Sequence, residues 1–183
     1  PSSEYGLTGD SAASYPYAYE DGDGTVHYFY KTTENGTVKY YDEDGLNLNL
    51  TLSDSEYTVT DKQGNKKIFD RSDGKIKKDT NADGVSVIYN YTAETLSSGK
   101  TRTFLSSVTD GAGHIINLYY DKESGRLTSM KGPDGNSISY TYIDGYNTKI
   151  TYSDGSSSTY TYSSGFLTSA KSSDGYLLTF TYT

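Results

Sequence analysis

"PDGNSISYTYIDG", residues 133–145, places Ile138, Tyr140 and Tyr142 on alternate positions between two Asp-Gly pairs. The arrangement returns twenty residues later in "SDGSSSTYTYSSG", with Tyr160 and Tyr162, and again in "SDGYLLTFTYT", with Phe180 and Tyr182. Side chains on a β-strand point alternately to opposite faces, so period-two spacing predicts a strand with one apolar face. Asp-Gly between two such runs predicts a hairpin turn, because glycine takes the positive φ that the turn demands. From Gly125 the glycines fall every tenth residue, at Gly135, Gly145, Gly155, Gly165 and Gly175. Each step of ten is one strand and one turn, and each step of roughly twenty is one hairpin.

The register extends beyond this stretch. Positions three, five and seven after a turn glycine are Val87, Tyr89 and Tyr91 after Gly84, and Ile116, Leu118 and Tyr120 after Gly113. After Gly45 they are Leu48, Leu50 and Leu52, and after Gly175 they are Leu178, Phe180 and Tyr182. The residues between are mainly Ser, Thr and Asn, which predicts a hydroxyl-rich second face. The expected fold is all-β: an elongated antiparallel sheet of about sixteen short strands in tandem hairpins, open and single-layered or part of a curved shell. It reads as one repeat array over residues 1–183, with an irregular lead-in at 1–19, degenerate repeats at 20–109 and regular repeats at 110–183. Pro16 fits only an edge or a strand start.

Composition agrees with a thin core. Only 33% of the 183 residues are hydrophobic, and 21 residues are tyrosines. Tyrosine can line a shallow core, because its ring buries while its hydroxyl reaches water or a partner. The net charge of −8 argues against nucleic acid, which needs a concentrated positive field. No apolar run reaches the length of a membrane span. With no cysteine, disulfides and thiolate metal sites are excluded.

Sites for chemistry are sparse. His27 and His114 each stand alone in a predicted strand, which suits surface or packing roles better than catalysis. The carboxylates sit mostly in Asp-Gly turns, where the turn explains them, so paired-carboxylate hydrolysis has little support. "DTNADG" sets Asp79, Asn81 and Asp83 on alternate positions before Gly84, like the first half of a calcium loop. Its twelfth position is Asn90, which cannot give a bidentate carboxylate, and a repeat turn explains it better. The reading is therefore of a protein with no catalytic residues, no metal and no cofactor.

Residues 119–142, "YYDKESGRLTSMKGPDGNSISYTY", resemble the YD repeat of the RHS family. The resemblance is carried by Tyr120, Asp121, Gly125, Arg126, Leu127, Asp134 and Gly135. A second copy, "SSGFLTSAKSSDGYLLTFTY", has Phe166 in place of Arg126. The match is specific over 110–183 and looser over 20–109. It implies hairpins that build a hollow β-shell, as in bacterial polymorphic toxins and teneurins, in a bacterial surface or secreted protein. Its partners would be the rest of the shell or an enclosed toxin segment. No Asp-Pro pair is present, so the self-cleaving core segment of such toxins is not matched.

The alternative is an adhesion module that binds glycan or a cell-wall polymer through Tyr140, Tyr142, Tyr160, Tyr162 and Tyr182. Leucines in the equivalent slots 48, 50 and 52 favour packing over a sugar platform. The apolar, uncharged strand at 176–183 is expected to invite self-association through edge pairing.

Overall fold

The structure, a computed structural model, describes residues 15–182 and the backbone of the strand Leu7–Gly9. The described residues contain seventeen strands and no helix. The chain forms two compact units, Pro1–Tyr89 and Asn90–Thr183.

In the first unit the strands are β1 (Leu7–Gly9), β2 (Tyr17–Glu20), β3 (Val26–Glu34), β4 (Thr37–Asp42), β5 (Asn49–Leu52), β6 (Glu56–Thr60), β7 (Lys66–Asp70) and β8 (Ile76–Thr80). β9 (Ser86–Thr95) begins there. Each pairs antiparallel with its sequence neighbour from β1 to β9. In the second unit follow β10 (Thr101–Thr109), β11 (Ile115–Tyr120), β12 (Leu127–Lys131), β13 (Ser137–Ile143), β14 (Tyr146–Tyr152), β15 (Ser157–Ser163), β16 (Phe166–Ser172) and β17 (Leu177–Thr179). They too pair antiparallel in chain order. The fold is thus all-β and built of tandem antiparallel hairpins, as the periodicity requires.

The twenty-residue period has a local cause: two kinds of turn alternate. At Asp144-Gly145 and Ser164-Gly165 both central residues have positive φ, 51° and 89° in the first and 52° and 86° in the second. That is the type I′ hairpin, whose twist matches the strands it joins. At 153–155 the loop has three residues, with Gly155 N–H donating to the Tyr152 carbonyl at 3.0 Å and Tyr152 N–H to the Ser156 carbonyl at 2.9 Å. The same pair of bonds closes the turns at Gly135 and Gly175. A register shift of one residue lies within each of these type I′ hairpins, between Thr141 and Tyr142 and between Thr161 and Tyr162.

The first unit departs from a shallow core. Tyr19, Phe29, Leu50, Val59 and Phe69 are all buried, with Phe29 at 0% exposure. The cause is β2. Its Tyr17 ring lies 5.5 Å from Tyr57, and its Tyr19 ring 5.7 Å from Phe69. β2 therefore closes over β6 and β7, and the alternating face is covered on both sides. Over residues 17–19 a regular strand stands in place of the irregular lead-in expected at 1–19. Tyr17–Glu20 is a regular strand paired on both edges, and Pro16 stands immediately before it. Residues 1–6 and 10–14 of that lead-in lie outside the described residues.

The second unit does match a thin sheet. Among its described residues only Leu96, at 6% exposure, is a buried hydrophobic. Leu118, Met130, Ile138, Tyr140, Ile150 and Tyr160 share one face and are half-buried. Ser137, Ser139, Thr151, Ser157, Thr159 and Ser169 share the other. The hydroxyls there pair across strands, with Thr161 Oγ1 at 3.1 Å from Thr168 Oγ1 and 2.6 Å from Ser169 Oγ. The strand expected over 176–183 is regular only at Leu177–Thr179, and Thr183 lies outside the described residues.

Candidate functional site

The second unit carries one contact four times. Phe104 packs on Tyr120 with ring centroids 4.5 Å apart, Tyr146 on Tyr162 at 4.7 Å, and Phe166 on Tyr182 at 5.0 Å. In the fourth, the Arg126 guanidinium lies 5.6 Å from the Tyr142 ring centre. The partners are sixteen residues apart in every case. In three of the four, the first partner is the residue directly after a turn glycine, Gly125, Gly145 or Gly165. Its side chain reaches the next such turn. A Cβ on Gly145 would stand 3.1 Å from Arg126, and one on Gly165 would stand 3.4 Å from the Tyr146 hydroxyl. Each stack thus ties one hairpin to the next. Aromatic pairs of this kind contribute about 0.5–1.5 kcal/mol beyond their buried area, and an exposed cation over a ring about 0.5–1 kcal/mol.

These contacts explain the YD-like motif residue by residue. Tyr120 stacks on Phe104, and its hydroxyl donates to the Leu105 carbonyl at 2.9 Å. Tyr182 repeats that bond to the Leu167 carbonyl at 2.8 Å. Asp121 Oδ2 accepts from Ser124 N at 2.6 Å and Glu123 N at 3.1 Å, which closes the loop before Gly125. Those backbone bonds from Ser124 hold the Asp121 carboxyl below its ordinary range. Leu127 pairs with Tyr120 at a bulge. Asp134 Oδ1 accepts from Asn136 N at 3.0 Å, beside Gly135.

The five tyrosines considered for sugar stacking fall on the ring-bearing face. Tyr140, Tyr142, Tyr160 and Tyr162 are half-buried, and Tyr182 is 55% exposed. The calcium-like residues do not converge. Asp79 pairs with Lys67 across β7 and β8, while Asn81 Oδ1 accepts from Val85 N at 2.9 Å and serves its own turn. Among the described residues no group of three or more His, Asp or Glu could hold a metal ion. Nor is any helix there long and apolar enough to cross a membrane.

In the first unit a cavity of 520 Å³ opens at the end of the core, lined by Tyr19, Asp21, His27, Leu48, Lys67 and Asp79 among others. His27 is 5% exposed. Its Nδ1 lies 3.0 Å from Asp44 Oδ2 and its Nε2 3.1 Å from Asp21 Oδ2. Its ring stacks on Tyr19 at 5.8 Å. His114, in contrast, is exposed and lies 2.9 Å from Asp110. The sequence reading missed the His27 cluster, although "EDGDGTVH" does place acids four and six residues before the histidine. Asp44 is supplied by a separate loop, which only the fold brings near.

The chain matches no family model and no curated protein.

Proposed function

We propose that the chain is a non-catalytic structural segment of YD/RHS type, a wall-building stretch of a bacterial surface or secreted protein. The fourfold stack at sixteen-residue spacing carries this reading. It falls on the residues that resemble the YD motif, and it joins hairpin to hairpin in the same way each time. The acidic side chains of this unit support it further: Asp110, Asp121, Asp134 and Asp154 all accept hydrogen bonds within their own turns. The half-buried face would line the enclosed side, against further hairpins or a cargo segment.

The test is an electron cryomicroscopy structure of the natural gene product. The expected result is a sheet that continues from these hairpins into others of the same plan, with the ring-bearing face turned inward. A gene product without further hairpins, or with that face turned to bulk solvent, overturns the reading.

The exposure of the stacked rings favours one second reading, a glycan-binding face. Phe166 is 56% exposed and Tyr182 is 55% exposed. Pyranose rings stack on such surfaces. Saturable binding on a polysaccharide array, lost in Tyr160→Ala and Tyr162→Ala with an unchanged far-ultraviolet spectrum, would select it over the wall.

A further inference from the structure

His27 has two ring nitrogens and meets a carboxylate oxygen at each. An ionised carboxylate only accepts hydrogen bonds, and neutral imidazole has a single N–H to give. Both contacts can be hydrogen bonds only if both nitrogens carry protons. Loss of one proton would set a nitrogen lone pair against a carboxylate oxygen at 3.0 or 3.1 Å. The bonded arrangement therefore belongs to imidazolium alone.

The two carboxylates come from different segments. Asp21 begins the turn between β2 and β3, where its Oδ1 accepts from the amides of Asp23 and Thr25, both at 3.1 Å. Asp44 lies at the tip of the loop 43–48 between β4 and β5. The base of that loop has its own anchor, because Asp42 accepts from Leu46 N at 2.7 Å and Leu48 N at 2.6 Å. Its tip is tied to the protein by His27. Leu46 and Leu48 line the cavity beside Tyr19 and Val59.

We propose that His27 is a protonation-dependent clamp that holds the tip of the loop 43–48 over the core of the first unit and releases it when the imidazolium deprotonates.

The surrounding charges support the protonated state. Asp21 faces His27 from the β2–β3 turn, with Asp23 beside Asp21, and Asp44 faces it from the loop. Asp61, Lys67 and Asp79 line the far side of the same cavity, and Lys67 is paired with Asp79. Burial alone would lower the histidine pKa, but the hydrogen bonds and charges of Asp21 and Asp44 outweigh it and the net shift is upward. Burial would likewise raise the Asp21 carboxyl, yet hydrogen bonds from its neighbours bring it down to about 2. A raised histidine contributes stability that is complete below its ordinary value of 6.5 and is lost as pH rises through the folded value. The lowered Asp21 contributes stability present above 3.8 and lost as pH falls through about 2. The clamp is closed between those limits and opens on the alkaline side.

The experiment follows the imidazole resonances of the whole chain through a pH titration, with backbone nitrogen relaxation of the loop 43–48 read on the same samples. The His27 midpoint is expected above 6.5. The backbone order of Asp44 and Gly45 should fall in step with that titration, while the Leu46 and Leu48 amides, held by Asp42, stay bonded. Asp44→Ala, which can neither accept nor donate, should lower the midpoint and leave the tip mobile at every pH. In His27→Gln the pH-linked change should vanish. A His27 midpoint below 6.5, or backbone order at Asp44 and Gly45 that does not change across its titration, overturns the proposal. Both readings come from the wild-type chain, so they hold even if a variant fails to fold.

Discussion

Ser164 occupies a conformation that L-residues avoid. Its φ of 52° lies in the left-handed region, where the equivalent positions carry Asn35 and Asp144. Asn and Asp tolerate that region through local hydrogen bonding, whereas serine has less compensation. Ser164→Asn should therefore stabilise the chain, by about 0.5 kcal/mol, and Ser164→Val should cost about 1 kcal/mol or more. Chemical denaturation of the two variants checks both signs. Burial separates the aromatic positions as well. Phe29→Ala removes a fully enclosed ring and should cost about 3–5 kcal/mol. Tyr162→Ala removes a half-exposed one and should cost about 1 kcal/mol. Around Tyr162 large and small residues alternate, whereas "VHYFYK" around Phe29 is large throughout, and neither pattern reveals how deeply a face is covered. Depth depends on what lies across the face, and at Phe29 that is the cluster with Leu50, Val59 and Phe69, closed where β2, from a stretch whose sequence reads as irregular, meets β6 and β7.

The hairpin is where the sequence was most legible. Asp-Gly spacing and period-two alternation are properties of neighbouring residues, and the antiparallel pairing of neighbours follows from them. The stack at sixteen residues was not legible, although its members were visible. Its members are cross-strand neighbours on adjacent strands that continue the register of Lys149 with Thr159, but they meet beyond the paired residues, at the open end of the hairpin, where alternation alone does not say which side chains face each other. A double-mutant cycle on Tyr146 and Tyr162 should return a coupling of about 0.5–1.5 kcal/mol. Arg126→Phe should preserve stability, since Phe166 fills the equivalent place, while Arg126→Glu should lower it. A coupling near zero would reduce the repeat to hairpin pairing alone. Turn chemistry also sets an acid limit for these hairpins. The carboxyls of Asp110, Asp121, Asp154 and Asp174 are lowered by hydrogen bonds from His114, Ser124, Ser156 and Ser172 respectively. A lowered carboxyl contributes stability above its ordinary pKa of 3.8 and loses it as pH falls through the folded value. Amide exchange at 112–114, 123–126 and 154–156 should accelerate below that pH, relative to the strand centres.

Across the whole molecule the two units bury their residues differently. Native-state exchange should find its slowest amides in β3, β5, β6 and β7 of the first unit, around Phe29, Leu50, Val59 and Phe69. The hairpins of the second unit have no such centre, and their protection should be lower and more even. Uniform protection along the entire chain would contradict the burial pattern. The constant offset of the ring pairs also fixes a quantum of length. Excision of residues 144–163 removes Tyr146 and Tyr162 together, sets Ile143 against Ser164-Gly165, and leaves both Arg126 with Tyr142 and Phe166 with Tyr182 whole. A cut of half that size would join unlike turns and orphan a ring. Such a chain can be lengthened or shortened in whole doublets of strands with every junction remade, and it tolerates no smaller step.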